Sequence, residues 1–275
     1  MALSSQAIGL FDSGIGGMTV MLQLMRTLPH ERLIYFGDTA RIPYGNKGHH
    51  TIVRYSIENT INLLEKNIKL LVVACNTASA FALPKLRQLF NIPIVGVIEP
   101  GAEKAAAITR NQRIAVLGTQ GTIQSGAYQA AIRKFAPQAT IIPIACPLFV
   151  PLVEEQWLNH PASQLIVQEY LRPLCTQGVD TLLLGCTHYP LLSHLIQQEV
   201  GADVKLVDSA STCADQVAAL LQELQLLAPV LQGQHQYYVS DDPEKFRVLG
   251  ESLFGNPLQP VELLLPERLP SQSIL

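Results

Sequence analysis

KLLVVACNTAS, residues 69–79, runs an unbroken apolar segment, Leu70 to Ala74, into Cys75, Asn76 and Thr77. LLLGCTHYP, residues 182–190, does the same with Leu182 to Leu184, Gly185, Cys186, Thr187 and His188. A short, wholly apolar run lacks the alternation of a half-exposed strand, and the polar cluster behind it can open a helix. That combination reads as a strand of a parallel sheet covered on both faces, entering a βα turn. A lone buried cysteine is read most simply as a small hydrophobe. Two of them at matching strand ends pose a question about a pair.

Similar runs recur along the chain: Ile8 to Phe11, Leu33 to Phe36, Ile94 to Ile98, Ile114 to Leu117, Ile141 to Ala145 and Val204 to Val207. Between them, helical patterning covers Met18 to Leu28, Thr51 to Glu65, Ser125 to Phe135, Ser163 to Thr176 and Ala210 to Leu227. Asn76 and Thr77 suit the start of a helix toward Phe90, and Pro190 suits a first turn leading into Leu191 to Val200. Strands alternating with helices predict an α/β fold. After a Pro- and Gln-rich connector, Ala228 to Gln236, QYYVS (236–240) predicts a further strand, Asp242-Pro243-Glu244 a helix start, and 265–275 a loose tail.

Composition narrows the function. The chain has 275 residues, 48% hydrophobic and 15% charged, enough to fill one large core or two ordinary ones. A net charge of -3 with scattered Lys and Arg gives no basic stripe, so nucleic acid is not expected as a partner. No segment has membrane-spanning apolar length, and MALSSQAIGLF lacks the basic flank and long apolar stretch of a signal peptide. Five cysteines without paired spacing read as free thiols in a reducing compartment, which points to a soluble cytoplasmic chain.

Polar clusters close the strands at 12–14 (Asp-Ser-Gly), 37–39 (Gly-Asp-Thr), 75–77, 118–122 (Gly-Thr-Gln-Gly-Thr), 186–188 and 208–209 (Asp-Ser). Ligands of open α/β sheets bind outside the carboxyl ends of the strands, so all six clusters are candidates for one rim. A weak internal repeat also relates IGLFDSG (8–14) to IAVLGTQG (114–121), with 63 residues from Asp12 to Cys75 and 67 from Thr119 to Cys186. If the halves are equivalent, the two thiols face one substrate from opposite sides.

Four chemistries use such thiols. A cysteine nucleophile activated by His188 leaves Cys75 idle. A zinc site of Cys75, Cys186 and His188 lacks close ligand spacing, and a redox pair needs sulfurs within bonding reach. Two-base racemisation uses both: one thiol takes a proton from carbon and the other supplies one to the opposite face. A thiol where a strand opens a helix is also expected to have its pKa lowered by the helix dipole. The glycine spacing of DSGIGG (12–17) matches neither the dinucleotide fingerprint nor the P-loop, and RIPYGN (41–46) reads on its own as a Pro/Gly turn.

GLFDSGIGG, GDTARIPYG, ACNTAS, VIEPG, LGTQGT and LGCTHYP, in this order, resemble the glutamate racemases of the cofactor-independent Asp/Glu racemase superfamily, from about Ile8 to Leu227. The resemblance implies two pseudo-symmetric parallel-sheet α/β domains with the active site between them, residues 1–98 plus 209–275 forming the first and 99–208 the second. It implies that Cys75 takes the α-proton of D-glutamate and Cys186 that of L-glutamate, with Asp12 assisting near Cys75 and His188 and Glu154 near Cys186. Substrate contacts would come from Asp12, Ser13, Tyr44, Gly45, Asn76, Thr77, Thr187 and His188, with Pro43 shaping the pocket and Thr119 and Thr122 in support. Glu155 stands beside Glu154 as an alternative. No cofactor and no metal are implied; a homodimer and a role in supplying D-glutamate for peptidoglycan are. Cys146, Cys175 and Cys213 read as packing residues, and His49, His50 and His194 as surface or local structural groups.

Overall fold

The structure, a computed structural model, describes residues 3–230, 233–255, 257–258 and 260–266. The chain builds β1 (Ala7–Asp12), α1 (Met18–Thr27), β2 (Leu33–Gly37), α2 (His49–Leu64), β3 (Ile68–Val73), α3 (Asn76–Leu89) and β4 (Ile94–Gly96). It continues with α4 (Ile98–Ile108), β5 (Arg113–Gly118), α5 (Gln120–Gln124), α6 (Ala127–Phe135), β6 (Thr140–Ala145) and α7 (Phe149–Glu154). Next come α8 (Pro161–Leu171), β7 (Thr181–Gly185), α9 (Ser193–Val200), β8 (Lys205–Asp208), α10 (Ser209–Glu223), β9 (Gln236–Val239), α11 (Pro243–Phe254) and β10 (Val261–Leu263).

Two sheets result, ordered β10-β9-β2-β1-β3-β4 and β6-β5-β7-β8, and every strand pair in both is parallel. Without β9 and β10 the two orders are the same, β5 standing for β1, β6 for β2, β7 for β3 and β8 for β4. Cys75 and Cys186 thus follow equivalent strands, which gives the internal repeat its structural meaning. In each sheet the chain order reverses between the first strand and the third, which leaves a crevice at their carboxyl ends. Asp12 and Cys75 flank one such switch point; Thr119 and Cys186 flank the other.

Every residue of β1, β3 and β7 is buried. Ile8, Leu10, Leu70 and Val72 pack toward α1 and α10. Phe11, Leu71 and Val73 pack to the other side, toward α2 and α3. The second sheet is filled in the same two-sided way. At about 1.5–3 kcal/mol per fully buried large aliphatic side chain, these faces hold the strand ends in place.

Several boundaries differ from the sequence reading. The strand expected to reach Ile98 stops at Gly96, and Ile98 opens α4. The helix expected from Ser125 is α6, which starts at Ala127 after Gly126 in the left-handed region at φ 68°; the short α5, capped by Thr119, precedes it and was not expected. α8 begins at Pro161, where His160 Nδ1 accepts from the Ala162 N–H, and yields at Leu171 to a 3-10 turn containing Pro173. A 3-10 turn at Tyr189–Leu192 stands between Cys186 and α9. β10 had no counterpart in the reading, and the expected tail falls on 265–275, of which 267–275 lie outside the described residues. No helix among the described residues is long and apolar enough to cross a membrane.

Candidate active site

Asp12, the last residue of β1, is fully buried, and its Oδ2 accepts the Gly14 N–H at 3.0 Å. The turn that follows runs directly beneath the second cysteine motif. A Cβ on Gly16 would lie 2.4 Å from both His188 Nδ1 and Thr187 Oγ1, so only glycine allows this approach. Thr187 Oγ1 reaches Asp12 Oδ1 at 3.5 Å, and Thr19 Oγ1 donates to Gly16 O at 2.8 Å and Thr187 O at 3.2 Å. The two halves are stitched together at this seam.

Cys75 is the N-cap of α3 and is buried, with Sγ 3.8 Å from Ser13 Oγ. Burial pushes its thiol well above the ordinary range, and the Asp12 charge adds to this; the Ala78 N–H and Ser13 act in the opposite sense without prevailing. The helix start therefore does not lower this pKa as expected from sequence, because desolvation and a neighbouring carboxylate outweigh it. Cys186, equally buried behind β7, has His188 Nδ1 at 3.9 Å from its sulfur. On the far side of the ring, His188 Nε2 pairs with Glu154 Oε1 at 3.1 Å. Burial opposes a charge on His188, but Cys186 and Glu154 outweigh it and raise the imidazole to about 10. The two sulfurs thus meet opposite fields, a carboxylate beside one and an imidazolium beside the other. Glu154, at the end of α7, faces the site, while Glu155 is the helix cap that follows.

The 41–46 loop is far from a plain turn. Arg41 Nε bonds both oxygens of the buried Asp38, at 2.9 and 2.7 Å, while its Nη atoms reach Glu58 and Asn59 and its guanidinium lies 4.0 Å over the Tyr55 ring. Tyr44 donates to Asp38 and accepts from Asn59 Nδ2 at 3.0 Å; Ser240 Oγ adds a bond to Asp38 at 2.9 Å. The Tyr44 hydroxyl is committed to this cluster, so the rest of the residue forms the cavity wall. Of this cluster only Asp38, within the 37–39 rim group, was a candidate from sequence; GDTARIPYG held the signal for Arg41 as well, but Glu58 and Asn59 on α2 are local only in space.

On the opposite wall, Thr77, Thr119 and Thr122 bring three hydroxyls together at 3.0–3.1 Å. Asn76 accepts from Tyr128 OH at 2.5 Å through Oδ1 and donates to Ser209 Oγ at 3.3 Å. Ser13, Pro43, Tyr44, Gly45, Cys75, Asn76, Thr77, Thr119, Cys186, Thr187 and His188 line one cavity, joined by Ile42 and Val150. Asp12, Glu154 and Thr122 stand behind that lining, each bonded to a residue in it. Two rim clusters do not reach it: Asp38 is held by Arg41, and Asp208 caps α10 by accepting from the Ala210 and Ser211 N–H groups. Among the described residues no group of three or more His, Cys, Asp or Glu is arranged to hold a metal. Cys146 and Cys213 are buried as read; Cys175 is exposed, on the surface turn after α8.

Comparison with known proteins agrees with this architecture. The family model described as Asp/Glu/Hydantoin racemase matches residues 16–217. A glutamate racemase of Geobacter metallireducens is 53% identical over 254 residues, 92% of this chain and 94% of that protein. The crystal structure of a glutamate racemase isoform from Bacillus anthracis superposes with a TM-score of 0.91 at 35% identity, covering 96% of this chain and 98% of that one. The glutamate racemase of Francisella tularensis, solved in complex with D-glutamate, superposes with a TM-score of 0.88 at 35% identity, covering 98% of this chain and 99% of that one. The chain belongs to the Asp/Glu/hydantoin racemase family, among its glutamate racemases.

Proposed function

We propose that this chain interconverts L- and D-glutamate with two cysteines, invoking neither pyridoxal phosphate nor a metal. One observation carries the reading: Cys75 and Cys186, from equivalent strand ends of two sheets, line the same cavity. In the L-to-D direction Cys186, as thiolate, takes the α-proton; the S–H bond forms as the Cα–H bond breaks, and the electron pair is left on Cα, delocalised into the α-carboxylate. Cys75, as thiol, then delivers its proton to the opposite face and becomes the thiolate. In the reverse direction the roles exchange. The raised thiol of Cys75 suits a proton donor, and protonated His188 sets a positive charge beside the sulfur that must bear a negative one. Asp12 assists at Cys75, and Glu154 keeps His188 charged. Ser13, Asn76, Thr77, Thr119 and Thr187, with the Pro43–Gly45 turn, supply the donors and walls that hold the two carboxylates; Thr122 braces Thr77 and Thr119.

The same reading assigns residues 1–98 plus 209–275 and residues 99–208 to two domains, a homodimer as the working assembly, and a cytoplasmic role supplying D-glutamate for peptidoglycan. Cells depleted of the protein should then depend on added D-glutamate.

In deuterated water, each enantiomer should yield the opposite one labelled at Cα, and Cys75→Ala or Cys186→Ala should abolish racemisation, a loss beyond about 10³-fold. Full activity in either variant overturns the two-base assignment. Faster turnover of L-aspartate than of L-glutamate overturns the substrate.

A further inference from the structure

Tyr128, on α6, lies outside the cavity and has no place in the proton transfers, yet it touches both cysteine motifs. Its side chain is fully buried. Its hydroxyl donates to Asn76 Oδ1 at 2.5 Å, and Asn76 is the residue after Cys75 and the first of α3. Its ring lies across Gly185, the residue before Cys186: a Cβ there would fall 2.8 Å from Tyr128 Cε2 and 2.6 Å from Leu117 O. Glycine at 185 is what lets the ring reach the end of β7. Behind the ring stands α4, where a Cβ on Gly101 would meet Tyr128 Cε1 and OH at 3.8 Å. The Asn76 amide is fixed at its other end as well, since Nδ2 donates to Ser209 Oγ at 3.3 Å. Ser209 opens α10, where the chain returns from the second sheet to the first.

Each sulfur is placed by its own sheet, so their spacing across the cavity depends on how the two halves are held together. A side chain that packs on one cysteine strand and hydrogen-bonds the residue beside the other cysteine is placed to set that spacing. Resting on the racemase reading, we propose that Tyr128 is a positioning residue that holds Cys75 and Cys186 in register on opposite faces of the substrate. Burial above all holds its phenol protonated, so it remains a donor. Replacing it with phenylalanine keeps the ring on Gly185 but leaves Asn76 Oδ1 buried without its donor, which frees the amide and the start of α3.

The test is Tyr128→Phe in the full-length protein. Small misplacements of reacting groups are costly, so kcat should fall about 10- to 100-fold in both directions. KM should rise by less than kcat falls, because Asn76 also lines the substrate cavity while the misplaced sulfurs are felt in the transition state. With α-deuterated glutamate, the primary isotope effect on kcat should rise as proton transfer becomes limiting. A residue that only fills space would lower the folded fraction and leave kcat per folded molecule and the isotope effect as in the parent. Parent values of both overturn the proposal, as does lost activity that merely tracks a lowered Tm with an unchanged isotope effect. Should Tyr128→Phe not fold, Ser209→Ala frees the same amide from its other end; a raised isotope effect there supports the proposal and an unchanged one overturns it. A parent protein that racemises no glutamate defeats the racemase reading itself, whereas an active parent with a silent Tyr128→Phe defeats only this inference.

Discussion

His188 sits between a sulfur and a carboxylate, and its charge is the clearest electrostatic consequence of the site. Its pKa is raised from 6.5 to about 10 by its bonds to Cys186 and Glu154 despite burial. A histidine raised on folding stabilises the protein fully below its unfolded pKa and loses that contribution as pH rises through the folded value. The His188 contribution should therefore be intact below about pH 6.5 and disappear as pH approaches the folded value of about 10. Glu154→Gln removes one of the two partners, so urea melts across this window should show lower stability at neutral pH and a flatter decline toward high pH than in the parent. An unchanged pH profile would show that the pair does not hold the proton. The choice between Glu154 and Glu155 could not be read from LVEEQ, because it depends on where α7 ends. With the helix ending at Glu154, it is that carboxylate that pairs with the ring, and Glu155 is the cap that follows.

At the scale of elements, the strand ends were legible because parallel strands covered on both faces read as continuous apolar runs, and turn residues mark their ends. What stayed hidden depended on distance in sequence. Arg41 looked like part of a turn; its partners Glu58 and Asn59 lie on α2 and Ser240 follows β9, which no local pattern connects. Tyr128 looked like one more apolar residue of a helix, and its bond to Asn76 spans 52 positions. Likewise β10 is too short to stand out, and among the described residues it pairs with β9 alone, at the sheet edge. The Arg41 cluster has a measurable consequence. Its side chain is 17% exposed, while those of Asp38 and Glu58 are 0% and 2% exposed. Arg41→Met leaves the buried Asp38 without its cation and Glu58 with Arg54 Nε at 3.8 Å in place of the close Arg41 contact, which should cost about 3–5 kcal/mol of stability. Because Asp38 also holds Tyr44, kcat/KM should fall with it. Arg41→Lys keeps the charge but not the fork that spans Asp38, Glu58 and Asn59, so it should recover part of the stability and less of the activity. Equal recovery of both would mean that the cluster does not position the loop.

Across the whole molecule, two copies of one strand order meet with their switch points facing, and contacts such as Thr187 to Asp12 and Thr77 to Thr119 cross between them. The cavity they enclose offers about 20 Å³ to the centre of a water-sized sphere, room for roughly one water. Under the racemase reading the cavity must widen to admit glutamate; if the crossing contacts open and re-form around it, binding is linked to the association of the two halves. Ligand at a hundred times its Kd adds about 2.7 kcal/mol of stability. At about 2–4 °C per kcal/mol for a chain of this size, L- or D-glutamate should raise Tm by roughly 5–10 °C. Hydrogen exchange gives the sharper measurement. A ligand held by both halves must slow exchange at the start of α3, residues 76–79, and in the 186–190 turn, which belong to different sheets. Protection confined to one of these segments would mean that glutamate binds to one half alone, and a substrate so placed could not be reached by both cysteines.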